Sequence, residues 1–332
     1  MRTYGKIFTA VAALALAAGC GTGGGGGGGA GGGERFDERV TLIAGAAPGS
    51  GFDQTARAMQ ETIQKEKLAR GAEVLNVPGA SGTIALAQMP GKKGQADQLM
   101  ATGLATISGV VTNGSKVGME AVTPIAKLIG EADVIVVPAD SPIKTFKDLV
   151  EEFKKDPKGV PIAAGSVGSG DHLFLGLLAK EVGVDPKQIN YVAHSGGGEA
   201  VAAILGGKVK AGASGIGEFA EHIKSGKMRP LAVTSPQQDP MLPGVKTVKE
   251  QGYDVEFTNW RCVVAPAGLK PEDKKKVIDM ITAMHGTQEW KNQLKEKGWS
   301  DEFMAGDEFA KWFATEEQNI RKTLDELGLA AS

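Results

Sequence analysis

The stretch TLIAGAAPGSGFDQTARAMQ, Thr41 to Gln60, decides how the chain is read. An apolar run stops at a glycine turn, and a helical pattern starts beside Asp53. Such a turn aims backbone N–H groups and the positive end of a helix at whatever lies above it, which is a way to hold an anion. The helix carries Phe52, Ala56, Met59 and Ile63 on one stripe.

Working outward, the same alternation of short apolar runs and helix-period stretches repeats along the chain, the pattern of an α/β fold with largely parallel sheets. Strands are expected near 40–46, in EVLNVP ending at Pro78, and near 98–103, with ASGTIALAQM as a helix between the last two. The long strand-like run VTPIAKLIGEADVIVVP (122–138) gives way at Ser141-Pro142 to a new helical segment, which marks a crossing into a second domain. TNWRCVVAPAG (258–268) reads as the strand that returns. Three helices are expected to close the chain, at 271–285, 288–297 and 307–327. Phe309, Trp312, Phe313, Ile320, Leu324 and Leu327 on the last read as core.

The N-terminus reads as an export signal. Arg2 and Lys6 precede an apolar run from Ile7 to Ala18 that is too short to span a bilayer. Ala17, Ala18 and Gly19 before Cys20 resemble a bacterial lipobox, so residues 1–19 are expected to be a lipoprotein signal peptide and Cys20 the lipidated terminus. The segment 20–36, with its run of glycines, reads as a tether spanning roughly 20 Å. Without residues 1–19 the chain carries 35 basic and 39 acidic residues, a net charge of −4 that gives no sign of nucleic-acid binding. Cys262 is left without a disulfide partner.

Two chemistries fail on their motifs. A dinucleotide fingerprint after Gly49-Ser50-Gly51 needs glycine at position 54, where Gln54 stands, and an acid ending the next strand, where Asn76 stands. No G-x-S-x-G elbow exists, and His172, His194, His222 and His285 lack metal-ligand spacing. His172, beside Asp171 at a helix start, reads as a hydrogen-bonding residue rather than a catalytic one. What remains is APGSGFD (47–53), GSVGSGDH (165–172) and HSGGGEA (194–200), three Gly/Ser turns each followed by a helix. One such turn needs no ligand, since αβ units use Gly to turn and Ser or Asp to cap. Three at the carboxyl ends of strands, spread over two domains, point to a shared anion site.

These residues resemble the extracytoplasmic solute receptors of tripartite tricarboxylate transporters, the TctC or Bug family. The resemblance rests on PGSGFDQTAR, NVPGASGTIALAQM, GSVGSGDHL, NYVAHSGGGEAVAAILGGKVKAGASGIGEF and NWRCVVAPAG, and covers about Arg39 to Leu329. It implies a periplasmic binding protein fold of type II, two α/β lobes joined by crossing strands with the ligand cleft between them. Lobe 1 would be 37–138 plus 260–332, and lobe 2 would be 139–259. It implies a monomeric, non-enzymatic receptor without cofactor or metal. Such a receptor captures a small carboxylate, citrate-like first and dicarboxylate second, and delivers it to the transporter's membrane subunits. A receptor signalling to a membrane sensor and a secreted α/β enzyme are the alternatives.

Carried over by motif, Pro48, Gly49, Ser50 and Gly51 would grip the ligand from lobe 1, with Asp53 orienting their loop and Thr106 adding a hydroxyl. Ser169, His172, Ser195, Gly196, Gly197 and Ser214 would complete the cradle from lobe 2. Arg261 is either a charge partner near the hinge or, as favoured, half of a salt bridge inside lobe 1.

Overall fold

The computed structural model describes residues 36–195 and 197–331, so the expected signal peptide, Cys20, almost all of the tether and Gly196 lie outside the described residues. In chain order the first half contains β1 (Phe36–Ala44), α1 (Gly51–Lys65), β2 (Ala69–Asn76), α2 (Thr83–Leu86), β3 (Gln98–Gly103), α3 (Leu104–Thr112), β4 (Val122–Glu131) and β5 (Asp133–Pro138). Then come α4 (Phe146–Lys155), β6 (Ile162–Ala164), α5 (Gly170–Glu181), β7 (Tyr191–Ala193), α6 (Gly197–Leu205), β8 (Ala211–Gly215), α7 (Ile216–Lys224) and β9 (Met228–Val233). The chain ends with β10 (Asn259–Pro266), α8 (Pro271–Gly286), α9 (Gln288–Lys297), β11 (Ser300–Ala305) and α10 (Gly306–Glu326). Among the described residues no helix is long and apolar enough to cross a membrane.

The strands form two mixed sheets, one per lobe, ordered β11-β4-β10-β3-β1-β2 and β7-β6-β8-β5-β9. The expected parallel pairing holds where a helix connects neighbours, as in β1 with β2 and β3, and in β6 with β7 and β8. The crossing strands pair antiparallel: β10 with β3 and β4, and β5 with β8 and β9. The two sheets form two lobes with the cleft between them.

The run 122–138 is two strands rather than one. It divides at Ala132, with β4 in the first sheet and β5 in the second. Both strands are rich in buried apolar residues, so the run reads as continuous, and the polar Gly130-Glu131-Ala132-Asp133 stretch falls at the break. Thr234 ties the two crossing segments together. Its buried hydroxyl accepts from the Asp133 amide at 2.8 Å and donates to the Phe257 carbonyl at 2.8 Å.

ASGTIALAQM is not one helix. Gly79, Ala80, Ser81 and Gly82 all have positive φ, and only Thr83–Leu86 is α-helical. At Ala80 and Ser81, non-glycine residues in the left-handed region, this backbone is strained and is held by tertiary contacts. One of these is the hydrogen bond from the Ser81 hydroxyl to the Val167 carbonyl of the other lobe, at 2.7 Å. β11 is a further strand that the periodicity of the sequence does not signal.

The C-terminal aromatics pack as expected. Phe309, Phe313, Ile320, Leu324 and Leu327 are buried, while Trp312 covers them at the surface with the Lys127 ammonium 4.2 Å above its ring. Truncating Phe309, which is fully buried, leaves a cavity between α10 and the first sheet. Phe309→Ala is expected to cost about 3–5 kcal/mol in guanidinium unfolding, against a much smaller loss for Trp312→Ala.

Candidate functional site

Four helices begin at the cleft, each straight after a strand or its short turn: α1 from lobe 1, and α5, α6 and α7 from lobe 2. Their first-turn amides lack acceptors inside their own helix and carry the positive end of the dipole. The cleft is partly open to solvent and is lined by residues of both lobes.

Ser50 supplies the clearest polar handle. It is the N-cap of α1 with extended backbone, the position where serine normally accepts from its own helix, yet its hydroxyl makes no capping bond. That hydroxyl is buried, lines the cleft and has no partner among the described residues. The Asn259 side-chain oxygen, on the crossing strand at the cleft floor, is unpartnered in the same way. A buried polar atom left unpaired costs about 1–3 kcal/mol, a cost that a ligand hydrogen bond removes.

Of the residues carried over by motif, Ser50, Gly51, Ser169, Ser195, Gly197 and Ser214 line one cleft. Pro48 and Gly49 are exposed at the rim of the loop and do not line it. Asp53 sits behind them, buried, accepting the Gly49 amide at 2.8 Å and engaging Arg57 and Asn76. Thr106 is buried one layer back, its hydroxyl against Gly82, where an added Cβ would lie 2.7 Å away. His172 also lies off the cleft. Its Nδ1 accepts from the Gly168 amide at 3.2 Å and its ring stacks on Tyr191, and burial holds it down at about 4, hence neutral.

The cleft contains more than the motifs announced. Ser81, Ser166, Asp171, Glu218, Asn259 and Arg261 also line it. Ser81 was hidden by the helical reading of its segment, although the flanking Gly79 and Gly82 signal a turn. The acids look like ordinary first-turn capping residues in sequence.

Arg261 takes up the second of the two roles open to it. On β10 it is buried against Glu131, the last residue of β4, in an ion pair inside lobe 1. Glu131 also accepts the Gly217 amide of α7 at 3.2 Å, so the pair reaches into lobe 2. An added Cβ at Gly51 would fall 2.2 Å from the guanidinium, so α1 starts directly on top of Arg261 and a side chain at 51 would have to displace it.

The remaining acids are strongly perturbed. Burial, reinforced by Asp171 and Glu131 nearby, pushes Glu218 up to about 7. Burial pushes Asp171 up to about 6 despite the Gly165 amide it accepts at 2.7 Å. Asp133 at the crossing is raised well above the carboxylate range by burial first and Asp171 second, and both its oxygens lack partners among the described residues. Cys262 is buried and its thiol is pushed far up by burial, so it is inert.

A family model described as tripartite tricarboxylate transporter family receptor matches residues 55–329. The chain belongs to the TctC family of receptors. It is 27% identical over 303 residues to a UPF0065 protein in the gbd 5′ region of Cupriavidus necator, covering 90% of each chain. The periplasmic binding protein BugD has the same fold, with a TM-score of 0.78 at 20% identity over 89% of this chain and 99% of that one. R. palustris Rpa4515 with adipate also shares the fold, at TM-score 0.77 and 21% identity over 89% and 98%. The chain is thus a receptor of that family with the fold of a periplasmic binding protein.

Two consequences are measurable. Removing one partner of a buried ion pair leaves the other uncompensated, so Arg261→Met in this receptor is expected to cost about 3–5 kcal/mol in denaturant unfolding. The second concerns pH. Glu218 binds its proton more tightly folded (about 7) than unfolded (4.5), so its contribution to stability is complete below about 4.5 and is lost as pH rises through 7. Replacing it with glutamine removes that loss. The melting temperature of Glu218→Gln is expected to exceed the wild type's by a few degrees at pH 8, and the gap should shrink towards pH 5.

Proposed function

We propose that this receptor captures a small organic carboxylate outside the cell and delivers it to the membrane subunits of a tripartite tricarboxylate transporter. The observation that carries the reading is the Ser50 hydroxyl. It is buried and unpartnered at the start of α1, facing the first turns of three helices from the opposite lobe. Converging hydroxyls and helix amides solvate a carboxylate without a cation, each bond to the charged group adding about 1.5–3 kcal/mol. Ser50, Gly51, Ser81, Ser169, Ser195, Gly197 and Ser214 are proposed as the binding set, with Asp53 and Glu199 shaping their loops. Gly196 belongs to the set by motif.

The charge of the lining revises the order of ligands expected from sequence. Among the described residues lining the cleft, Arg261 is the one cation, and it is paired with Glu131. Asp171 and Glu218 add negative charge. A dicarboxylate therefore fits this lining better than a fully ionised tricarboxylate, which would face repulsion with no free cation among those lining residues to offset it. The relative solved with adipate, which shares the fold, is in keeping with that preference.

Capture works by differential affinity: a solute that contacts both lobes shifts the population toward the arrangement in which they approach, and the membrane subunits read that form. We further propose lipidation at Cys20, with the glycine-rich segment as tether, which keeps a monomeric receptor at the outer face of the cytoplasmic membrane.

A thermal-shift screen of adipate, malate, citrate, glucose and putrescine tests the ligand class. A binder at 100 times its Kd should stabilise the protein by about 2.7 kcal/mol, and Ser50→Ala should weaken its binding by about tenfold. A shift with glucose or putrescine and none with the acids would overturn the carboxylate reading.

A further inference from the structure

The acids in the first turns of the cleft-facing helices are of two kinds. Asp53, Asp171 and Glu199 each fold back and accept an amide of their own loop, from Gly49 at 2.8 Å, Gly165 at 2.7 Å and Ser195 at 2.9 Å. Glu218 does otherwise. One oxygen accepts the hydroxyl of Ser214 in its own loop at 3.0 Å. The other crosses the cleft to the Gly51 amide of the opposite lobe, also at 3.0 Å. Gly51 is the first residue of α1 and lies beside the unpartnered Ser50 hydroxyl, so the Glu218 carboxylate occupies the position best built for a guest carboxylate.

The surroundings of Glu218 are acidic. Asp171 faces it from α5, Glu131 from β4 and Asp133 from β5, while Glu199 stands on the neighbouring α6. Arg261 on β10 is the cation nearby and is bonded to Glu131, and Arg229 on β9 is turned to the carbonyls of Ala139, Ser141 and Ile143. A second ionised carboxylate brought against Glu218 here would be repelled at short range with little solvent to screen it.

We infer that Glu218 is the specificity-determining residue of the cleft: a solute carboxylate takes the Gly51 amide from it, and Glu218, protonated, then donates its O–H to that solute. One proton from solvent is bound with each solute, and no covalent bond between heavy atoms changes. The inference rests on the carboxylate reading above and narrows it to acids bound together with a proton. It stands on the cross-cleft geometry. The upward shift of Glu218 to about 7, caused first by burial and then by Asp171, means that the proton is within reach near neutral pH even before a guest's charge raises its affinity further.

Calorimetric titration with adipate and malate tests it, run at pH 8 in two buffers of unlike ionisation enthalpy. The wild type is expected to take up close to one proton per solute, and its affinity should fall about tenfold per pH unit between 7.5 and 9. Glu218→Gln should bind the same acid without that uptake and without that slope. Because the proton count is read on the wild-type protein, a poorly folding variant does not remove the test. Binding of either acid with no proton uptake, or uptake that persists in Glu218→Gln, overturns the inference and leaves the carboxylate reading standing. Failure of both acids to bind at any pH between 5.5 and 9 overturns the two together.

Discussion

The buried pair of Arg261 and Glu131 is the constraint on which the cleft depends. The two residues sit on adjacent strands, β10 and β4, where the chain leaves and re-enters the first sheet, and nearly all of each side chain is withdrawn from water. Two ions in such a place are costly to desolvate, and the pair is worth little as net stability compared with an apolar substitute. Its value is geometric. α1 begins on top of the guanidinium, and α7 enters against the carboxylate, where a Cβ at Gly215 would lie 2.6 Å from Glu131. Both helices can approach so closely only because glycine stands at 51 and 215. One polar contact thereby fixes where the first turns of a lobe 1 helix and a lobe 2 helix point.

The features that the chain announces in its sequence, and those it hides, are set by the range of the interactions involved. The apolar stripe of α1 is a local property, set by residues three and four apart, and the helix appears where that stripe predicts it. The Gly/Ser turns are equally local, and five of the residues assigned within them line the cleft. The break at Ala132 is not local. Two strands joined by Ala132 alone read as one strand-like run, and the pairing of β4 with β10 and of β5 with β8 and β9 separates them. Ala80 and Ser81 show the same limit, since their left-handed backbone is held by contacts such as that with Val167, which no helical propensity could report. Glu218 is the extreme case. In sequence it is a first-turn acid like three others, and its decisive partner, the Gly51 amide, is 167 residues away.

A cleft that offers amides and hydroxyls but also carries its own carboxylate stands at odds with anion capture. The conflict resolves when affinity and selectivity are separated. Backbone and hydroxyl donors supply attraction to any carboxylate that fits. An internal carboxylate already seated on one of those donors subtracts from that attraction equally for every guest, because each must displace it. Guests differ in the contacts they make once it has been displaced. A guest that accepts a hydrogen bond from the displaced group recovers the loss, whereas one with a further negative charge near the same place meets Glu218, Asp171 and Glu131 together.

The same occupant bears on the motion of the lobes. Glu218 on Gly51 and Ser81 on Val167 join the two lobes across the cleft within the chain itself. Lobe approach is therefore favoured to some degree by the protein's own groups, and a guest adds only the difference between its contacts and those it replaces. If the internal bonds were much stronger than the guest's, the empty receptor would rest in the same arrangement as a loaded one. The acidic surroundings limit that risk, since repulsion from Asp171 and Glu131 weakens the hold of an ionised Glu218 on its seat. The balance of one amide, one carboxylate and its neighbours thus links what the cleft accepts to when the lobes come together.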